Sequence, residues 1–138
     1  MTAWHVPAAY DAALRNQRLH DLEHLTFVLA GTLVWAQLID PTRRLTIRTR
    51  LVTALAFLAI GQTLSDALLF SFRSYYPSYA AQAHRVFGLS PLADQRAAGL
   101  VMMGEQLLTT GTCIVVLLLV MRRDTLRRSP ARARGELV

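Results

Sequence analysis

The sequence predicts an all-α integral membrane protein: a helical bundle of three transmembrane helices with an N-terminal interfacial helix. Hydrophobic residues make up 53% of the 138 residues, and the mean hydropathy is +0.31. The apolar residues are gathered in three long stretches, and about 20 helical residues are needed to cross about 30 Å of hydrocarbon. Arginines cluster at the ends of these stretches, as basic residues do at membrane boundaries. These observations together favour three membrane spans.

The elements follow in chain order. Residues 4–18 carry Trp and Tyr on one face and charged side chains on the other, a pattern typical of a helix lying in the headgroup layer. A single membrane domain, 1–121, is then expected to contain three spans, at about 20–39, 51–72 and 94–121. The first span is the shortest and needs the polar turn at its start to reach full length.

Two prolines mark the limits of the spans. Asp40-Pro41 is expected to end the first span, because proline disfavours helix in the residue before it. Ser90-Pro91 resembles a helix start, with serine as N-cap and proline at the first helical position. Beyond Met121 the chain is rich in Arg, Pro and Ala, and we expect 122–138 to be a basic, disordered cytoplasmic tail.

The distribution of arginine sets the expected orientation and argues against nucleic acid as a partner. All fifteen basic residues are Arg and the formal charge is +6, but the charges lie at span ends, where they meet lipid headgroups. The loop 42–50 and the tail carry ten arginines, whereas the opposite side carries five. The positive-inside rule therefore predicts a cytoplasmic C-terminus and an N-terminus on the outer side.

A candidate metal site begins the first span. His20 and His24 are four residues apart, so both imidazoles lie on one face of a helix, together with the carboxylate of Glu23. Ionisable groups at the edge of a membrane span are costly and usually functional, binding a metal, a proton or a partner. We predict His20 and His24 as nitrogen ligands, with Glu23 orienting an imidazole or binding as an oxygen ligand.

The third span supplies a second set of donors. At 100° per residue, Asp94, Met102 and Glu105 project within about 80° of one another. On the predicted topology this face and the two histidines meet near the outer surface. Imidazole with thioether suits copper, Cu(I) in particular, so Met102 is predicted as a soft ligand and Asp94 as an oxygen ligand or an orienting group.

The same residues also admit other interpretations. The histidines could anchor the span in the interface, Met102 could be ordinary packing, and Asp94 could complement the helix dipole. The spacing of His20-x-x-Glu23-His24 also matches an inverted zinc-protease motif, but no further acidic ligand motif follows and three spans leave little room for a catalytic cavity. A bis-histidine haem site would require a homodimer, because only the first span holds histidine. We therefore do not expect an enzyme.

The chain resembles the CtaG-type cytochrome c oxidase assembly factors, and specifically their C-terminal half. The resemblance covers the chain up to about Gln106 and rests on these segments: Trp4-His5-x-Pro7-x-x-Tyr10, His20-x-x-Glu23-His24-x-x-Phe27, Tyr76-Pro77-x-Tyr79, and Ser90-Pro91-Leu92-x-Asp94-Gln95-x-x-Ala98-Gly99-x-x-Met102.

The resemblance implies copper handling on the outer face of a bacterial inner (plasma) membrane. The expected function is a copper-binding assembly factor that assists copper insertion into a cytochrome c oxidase, with oxidase subunits or another copper carrier as partners. Because family members have about twice as many spans, self-association or docking to a larger membrane complex is also expected. The alternative is a non-catalytic accessory subunit of a respiratory complex, with small residues as packing points.

Overall fold

The computed structural model describes residues 2–42, 44–82 and 86–135, and within them all regular structure is helical. The α-helices are α1 (Pro7–Arg15), α2 (Gln17–Ile39), α3 (Ile47–Leu69), α4 (Pro77–Ala80), α5 (Pro91–Gln106) and α6 (Thr112–Gly135), with 3₁₀ turns at Thr2–His5 and Val86–Gly88 and a π-helical turn, Leu107–Gly111, joining α5 to α6. Three stretches are long and apolar enough to cross a membrane: α2, α3 and Pro91–Leu126. The predicted fold class is confirmed.

The N-terminal segment differs in detail from the expected single helix over 4–18. The helix breaks at Asn16, whose backbone is extended (φ −134°, ψ 109°), and whose side chain accepts a hydrogen bond from the Arg18 N–H at 3.0 Å. Asparagine is a strong N-cap because its side-chain oxygen satisfies a free N–H of the first turn. Consequently α2 starts at Gln17, three residues before the expected start of the span.

The turn after α2 confirms the predicted end of the first span. Asp40 caps the helix in a left-handed conformation (φ 35°, ψ 68°), and its carboxylate accepts hydrogen bonds from the Leu45 N–H at 2.7 Å and the Thr42 hydroxyl at 3.0 Å. The Leu45 N–H is the main cause that lowers the pKa of Asp40 below its ordinary value. Arg50 reaches back from α3 and donates to the Leu38 carbonyl at 2.8 Å, so the turn joins the two helices firmly.

The helix of the third span begins as predicted and continues past the predicted end of the span. Ser90 accepts a hydrogen bond from the Ala93 N–H at 3.2 Å, and Pro91 is the first helical residue. At the other end the helix continues past Met121, with helical backbone as far as Gly135. That 122–138 forms a separate disordered tail stays a prediction, and 136–138 lie outside the described residues.

The helices pack most closely along the contact between α3 and α5, which we call the α3–α5 seam. A Cβ placed on Gly99 would lie only 2.9 Å from the Ser65 carbonyl oxygen and from the Leu69 backbone nitrogen, so only glycine fits at this approach. At the end of the bundle that holds the α2–α3 turn, Leu38, Ala54 and Leu117 form a buried cluster. The opposite end, which holds α1 and the start of α5, is called the α1 end.

Candidate functional site

Two histidines form a pair at the α1 end of α2, which we call the imidazole pair. The ring centroids of His20 and His24 are 4.5 Å apart and the ring planes meet at 67°. The pair arises directly from helix geometry, because residues four apart lie on consecutive turns of one face. The His20 side chain is 44% exposed and His24 is exposed, so a ligand can reach both rings.

Glu23 lies against the imidazole pair. Its Oε2 is 3.6 Å from Nδ1 of His20, and its side chain is only 13% exposed. A carboxylate next to one ring nitrogen favours the tautomer that keeps the other nitrogen free for a metal. His20, Glu23 and His24 therefore come together as the sequence analysis predicted.

Asp94 and Met102 line a different space, a cavity of about 450 Å³ between α1 and α5, here called the α1–α5 cavity. Gln95, 7% exposed, fixes this wall: its side-chain oxygen accepts the Tyr75 N–H at 2.8 Å, and its side-chain nitrogen donates to the Leu68 carbonyl at 3.4 Å. The first turns of α5 are therefore held to α3, and the cavity presents a carboxylate and a thioether together.

Three residues that were not predicted as ligands also line this cavity: His5, Tyr10 and Tyr76. The rings of Tyr10 and Tyr76 contact each other at a tilt of 48°, with centroids 4.5 Å apart, and the Tyr76 hydroxyl donates to the His5 carbonyl at 3.0 Å. These contacts connect residues more than 60 positions apart, so no local pattern predicts them. The available signal was their presence in the segments that carry the family resemblance.

Tyr10 interacts electrostatically with both groups of candidate ligands. Burial is the main cause that raises the pKa of its phenol, and the negative charges of Glu23, Asp11 and Asp94 add to it in that order. Because Glu23 belongs to α2 and Asp94 to α5, the phenol of Tyr10 lies within electrostatic reach of carboxylates from both groups.

The predicted ligands therefore form two groups. His20 and His24 are not among the residues that line the α1–α5 cavity, and among the residues that the structure describes no three His, Cys, Asp or Glu side chains are placed to hold a metal ion together. Glu105, expected on the same face as Asp94 and Met102, is exposed instead, and accepts a hydrogen bond from the Thr109 hydroxyl at 3.0 Å.

Each group has its own chemistry. The imidazole pair offers two nitrogen donors, and the cavity offers one sulfur and one carboxylate. Imidazole and thioether ligands suit soft or borderline transition metals, and thioether favours Cu(I), whereas oxygen-only sets suit Mg²⁺ or Ca²⁺. The α1 end is thus a membrane-edge surface with side chains suited to a transition metal.

The fold and these side chains define the class: an α-helical membrane protein with candidate metal-binding groups at one end of its bundle. More specifically, the chain belongs to the cytochrome c oxidase caa3 assembly factor family (Caa3_CtaG), whose family model matches residues 1–124. The match covers nearly the whole chain and extends past Gln106, where the motifs of the resemblance end. No curated protein and no solved structure shows a significant match.

Proposed function

We propose that this chain is a non-catalytic, copper-binding assembly factor that assists copper insertion into a cytochrome c oxidase. Membership of an oxidase assembly family supports the oxidase part of this proposal. The observation that carries the copper part is the imidazole pair, two rings 4.5 Å apart at the start of a span. Imidazoles placed on a membrane boundary are costly unless they have a partner or a task.

The exposure of the pair favours transfer of the metal over storage. A metal held by His20 and His24 alone has open coordination positions, which a donor from the receiving protein can occupy before the imidazoles release it. Glu23 would orient the His20 ring in this state. Copper would thus be cargo, and an incompletely closed site is what exchange requires.

Asp94 and Met102 would act from the α1–α5 cavity. Met102 supplies a sulfur donor that favours Cu(I), and Asp94 an oxygen donor or a counter-charge. Tyr10, which lines the cavity, also has its phenol within electrostatic reach of Glu23, next to the imidazole pair.

The distribution of arginine supports an outward-facing α1 end. Ten arginines belong to residues 42–50 and to the chain beyond Met121, against five on the other side. By the positive-inside rule the imidazole pair would then face the outer side of a bacterial inner membrane.

The experiment measures the copper-to-haem ratio of the oxidase purified from cells that carry His20→Ala/His24→Ala in this chain. The proposal predicts a ratio several-fold below that of the wild type. The matched control is Gln17→Ala/Asp21→Ala, because these residues are also four apart on α2, are exposed, and are joined by a hydrogen bond of 2.8 Å. The control should leave the ratio unchanged.

The possible outcomes distinguish an assembly factor from a structural subunit. A normal ratio in the histidine variant would overturn the copper proposal. Equal loss of haem and copper, with the oxidase falling apart, would instead favour a non-catalytic accessory subunit of a respiratory complex. Restoration of the ratio by added copper would support a role in delivery.

A further inference from the structure

A carboxyl group is exposed inside the third span. Glu105 lies in the last turn of α5, and the residue is exposed. Arg96 and Arg122, the nearest basic residues before and after it in the sequence, are about 14 Å and about 26 Å away along the helix. The Thr109 hydroxyl, one turn further on, donates to Oε1 of Glu105 at 3.0 Å. The carboxyl group is therefore directed toward the middle of the span and not back toward the headgroup layer.

Glu105 shares its face of the helix with three other exposed residues, Leu108, Thr109 and Thr112, and we call these four residues the Glu105 face. The Thr109 hydroxyl also contacts the Glu105 carbonyl at 3.0 Å, and the Thr112 hydroxyl donates to the Leu108 carbonyl. The four residues therefore lie on consecutive turns even across the π-helical turn. Leu108 is 75% exposed. Three of the four residues are polar, which is unusual for a surface that meets only lipid chains.

The Glu105 face requires a protein partner. Ionisable residues within membrane spans are costly, and almost all of them face protein or a water-filled cavity. Glu105 does not line the α1–α5 cavity, and in the described part of the chain no basic side chain forms an ion pair with it. The exposed carboxyl group therefore points to a contact with a helix of another membrane-embedded chain.

The charge distribution of the chain indicates what a second copy would offer to this carboxyl group. The segments 25–39, 51–72 and 97–121 contain no Arg, Lys or His, so a second copy brings no cation to the middle of the membrane. Two copies related by a two-fold axis along the membrane normal place their Glu105 residues at the same depth. Two ionised carboxylates at one site repel each other, whereas a protonated carboxyl group donates one hydrogen bond and accepts others. Paired carboxyl groups can therefore satisfy each other without a cation.

We propose that the Glu105 face is the contact surface of a symmetric dimer of this chain, in which the two Glu105 carboxyl groups hydrogen-bond to each other within the membrane. Gly104 and Gly111 favour this contact, because nothing lies within 4 Å of a Cβ at either position and small residues let membrane helices approach closely. Polar side chains that hydrogen-bond between helices stabilise such association. The dimer is independent of the copper proposal, because none of the four residues belongs to the imidazole pair or lines the α1–α5 cavity.

The first test is cross-linking of the full chain in liposomes, after Cys113→Ala has removed the only cysteine. Leu108→Cys then places one thiol on the Glu105 face. The matched control is Ile60→Cys, because Ile60 is 58% exposed and precedes Gly61, which lies against the Gln106 side chain and so has a similar depth. Oxidation by molecular iodine should convert the Leu108→Cys chain, but not the Ile60→Cys chain, to a disulfide-linked dimer. Equal cross-linking of the two chains would overturn the proposal.

The second test measures the Kd of the dimer in liposomes, by counting fluorescent subunits as the protein is diluted with lipid. Glu105→Leu should raise the Kd about tenfold, because the hydrogen bonds of the pair are lost. Glu105→Gln should stay within about threefold of the wild type, because an amide also donates and accepts. Asp66→Leu, which removes an exposed carboxyl group from α3, is the control and should leave the Kd unchanged.

Three results of the second test would each overturn the proposal: a monomeric wild type, a Glu105→Leu variant that associates like the wild type, or a Glu105→Gln variant as weak as Glu105→Leu. The last result would indicate that the carboxylate charge itself is required, as in an ion pair with a different protein. If Glu105→Leu fails to insert, the cross-linking test decides, because it leaves Glu105 in place.

Discussion

The α3–α5 seam joins two spans closely. Helix α2, a span of similar apolar character, is packed much less closely. In the most apolar window of α2 only 6% of the residues are buried, against 17% in α3. In the seam, α5 comes very close to the α3 backbone at Gly99, and the amide of Gln95 is buried. In contrast, α2 is contacted by Trp4, whose indole donates to Thr26 at 2.9 Å, and near its C-terminal end by the cluster around Leu38.

We therefore regard the seam as the scaffold and α2 as the helix that carries the proposed binding surface. The seam fixes the wall of the α1–α5 cavity, because the residues that bind α5 to α3 also position Asp94 and Met102. The imidazole pair lies on the less buried helix, and both rings are accessible. A site that must release its metal to a partner is better placed on such an element.

The largest expected effect on stability comes from a substitution that disrupts the seam. Gly99→Val adds a Cβ 2.9 Å from two backbone atoms of α3, which cannot yield as a flexible side chain would, so we expect a loss of about 3 kcal/mol of stability. Gly31→Val on α2 is the matched control, because nothing lies within 4 Å of a Cβ at that position. Thermal unfolding in detergent should separate the two variants, and equal sensitivity would refute the contrast between seam and α2.

A smaller effect is expected from the polar part of the seam. Gln95→Leu removes the acceptor of the Tyr75 N–H and the donor to Leu68, so stability should fall by about 2 kcal/mol. Gln37→Leu, on the exposed side of α2, should change it by less than about 0.5 kcal/mol. Comparable unfolding curves for the two leucine variants would show that the Gln95 bonds do not stabilise the cavity wall.

The smallest effect concerns the turn that anchors the far end of α2. The folded pKa of Asp40 is lowered, chiefly by the Leu45 N–H, so its contribution is fully present above the unfolded value of about 3.9 and is lost as the pH falls through the folded value. As the pH falls from about 6 to below the unfolded value, the wild type should lose more in unfolding temperature than Asp40→Asn. Parallel curves would exclude Asp40 as the titrating group.

The sequence predicted the fold well because its signals are local. Long apolar stretches, Asp40-Pro41 and Ser90-Pro91 each act through their own neighbours, and the structure bears them out. The geometry of the imidazole pair could be predicted equally well, because an i,i+4 spacing determines it. The separation of the candidate ligands into two groups could not be predicted, since it depends on how the helices pack against one another.

Long-range contacts account for the rest. The tilted contact of Tyr10 with Tyr76 and the position of the Gln106 amide next to Gly61 join residues far apart in the sequence. Helix periodicity does not predict such pairs. The π-helical turn also alters the register between α5 and α6, so the faces of the third span cannot be extrapolated along a regular helix. Thr110 lies in an apolar run of the sequence, and that it is buried can be seen only in the structure.

The most direct test of the central claim is the copper content of the purified protein after reconstitution with Cu(I) in detergent, measured by mass spectrometry for the wild type, His20→Ala/His24→Ala and Gln17→Ala/Asp21→Ala. The account predicts close to one copper per chain in the wild type and in the glutamine–aspartate control, and almost none in the histidine variant. Copper retained in full by the histidine variant, or absent from the reconstituted wild type, would contradict it.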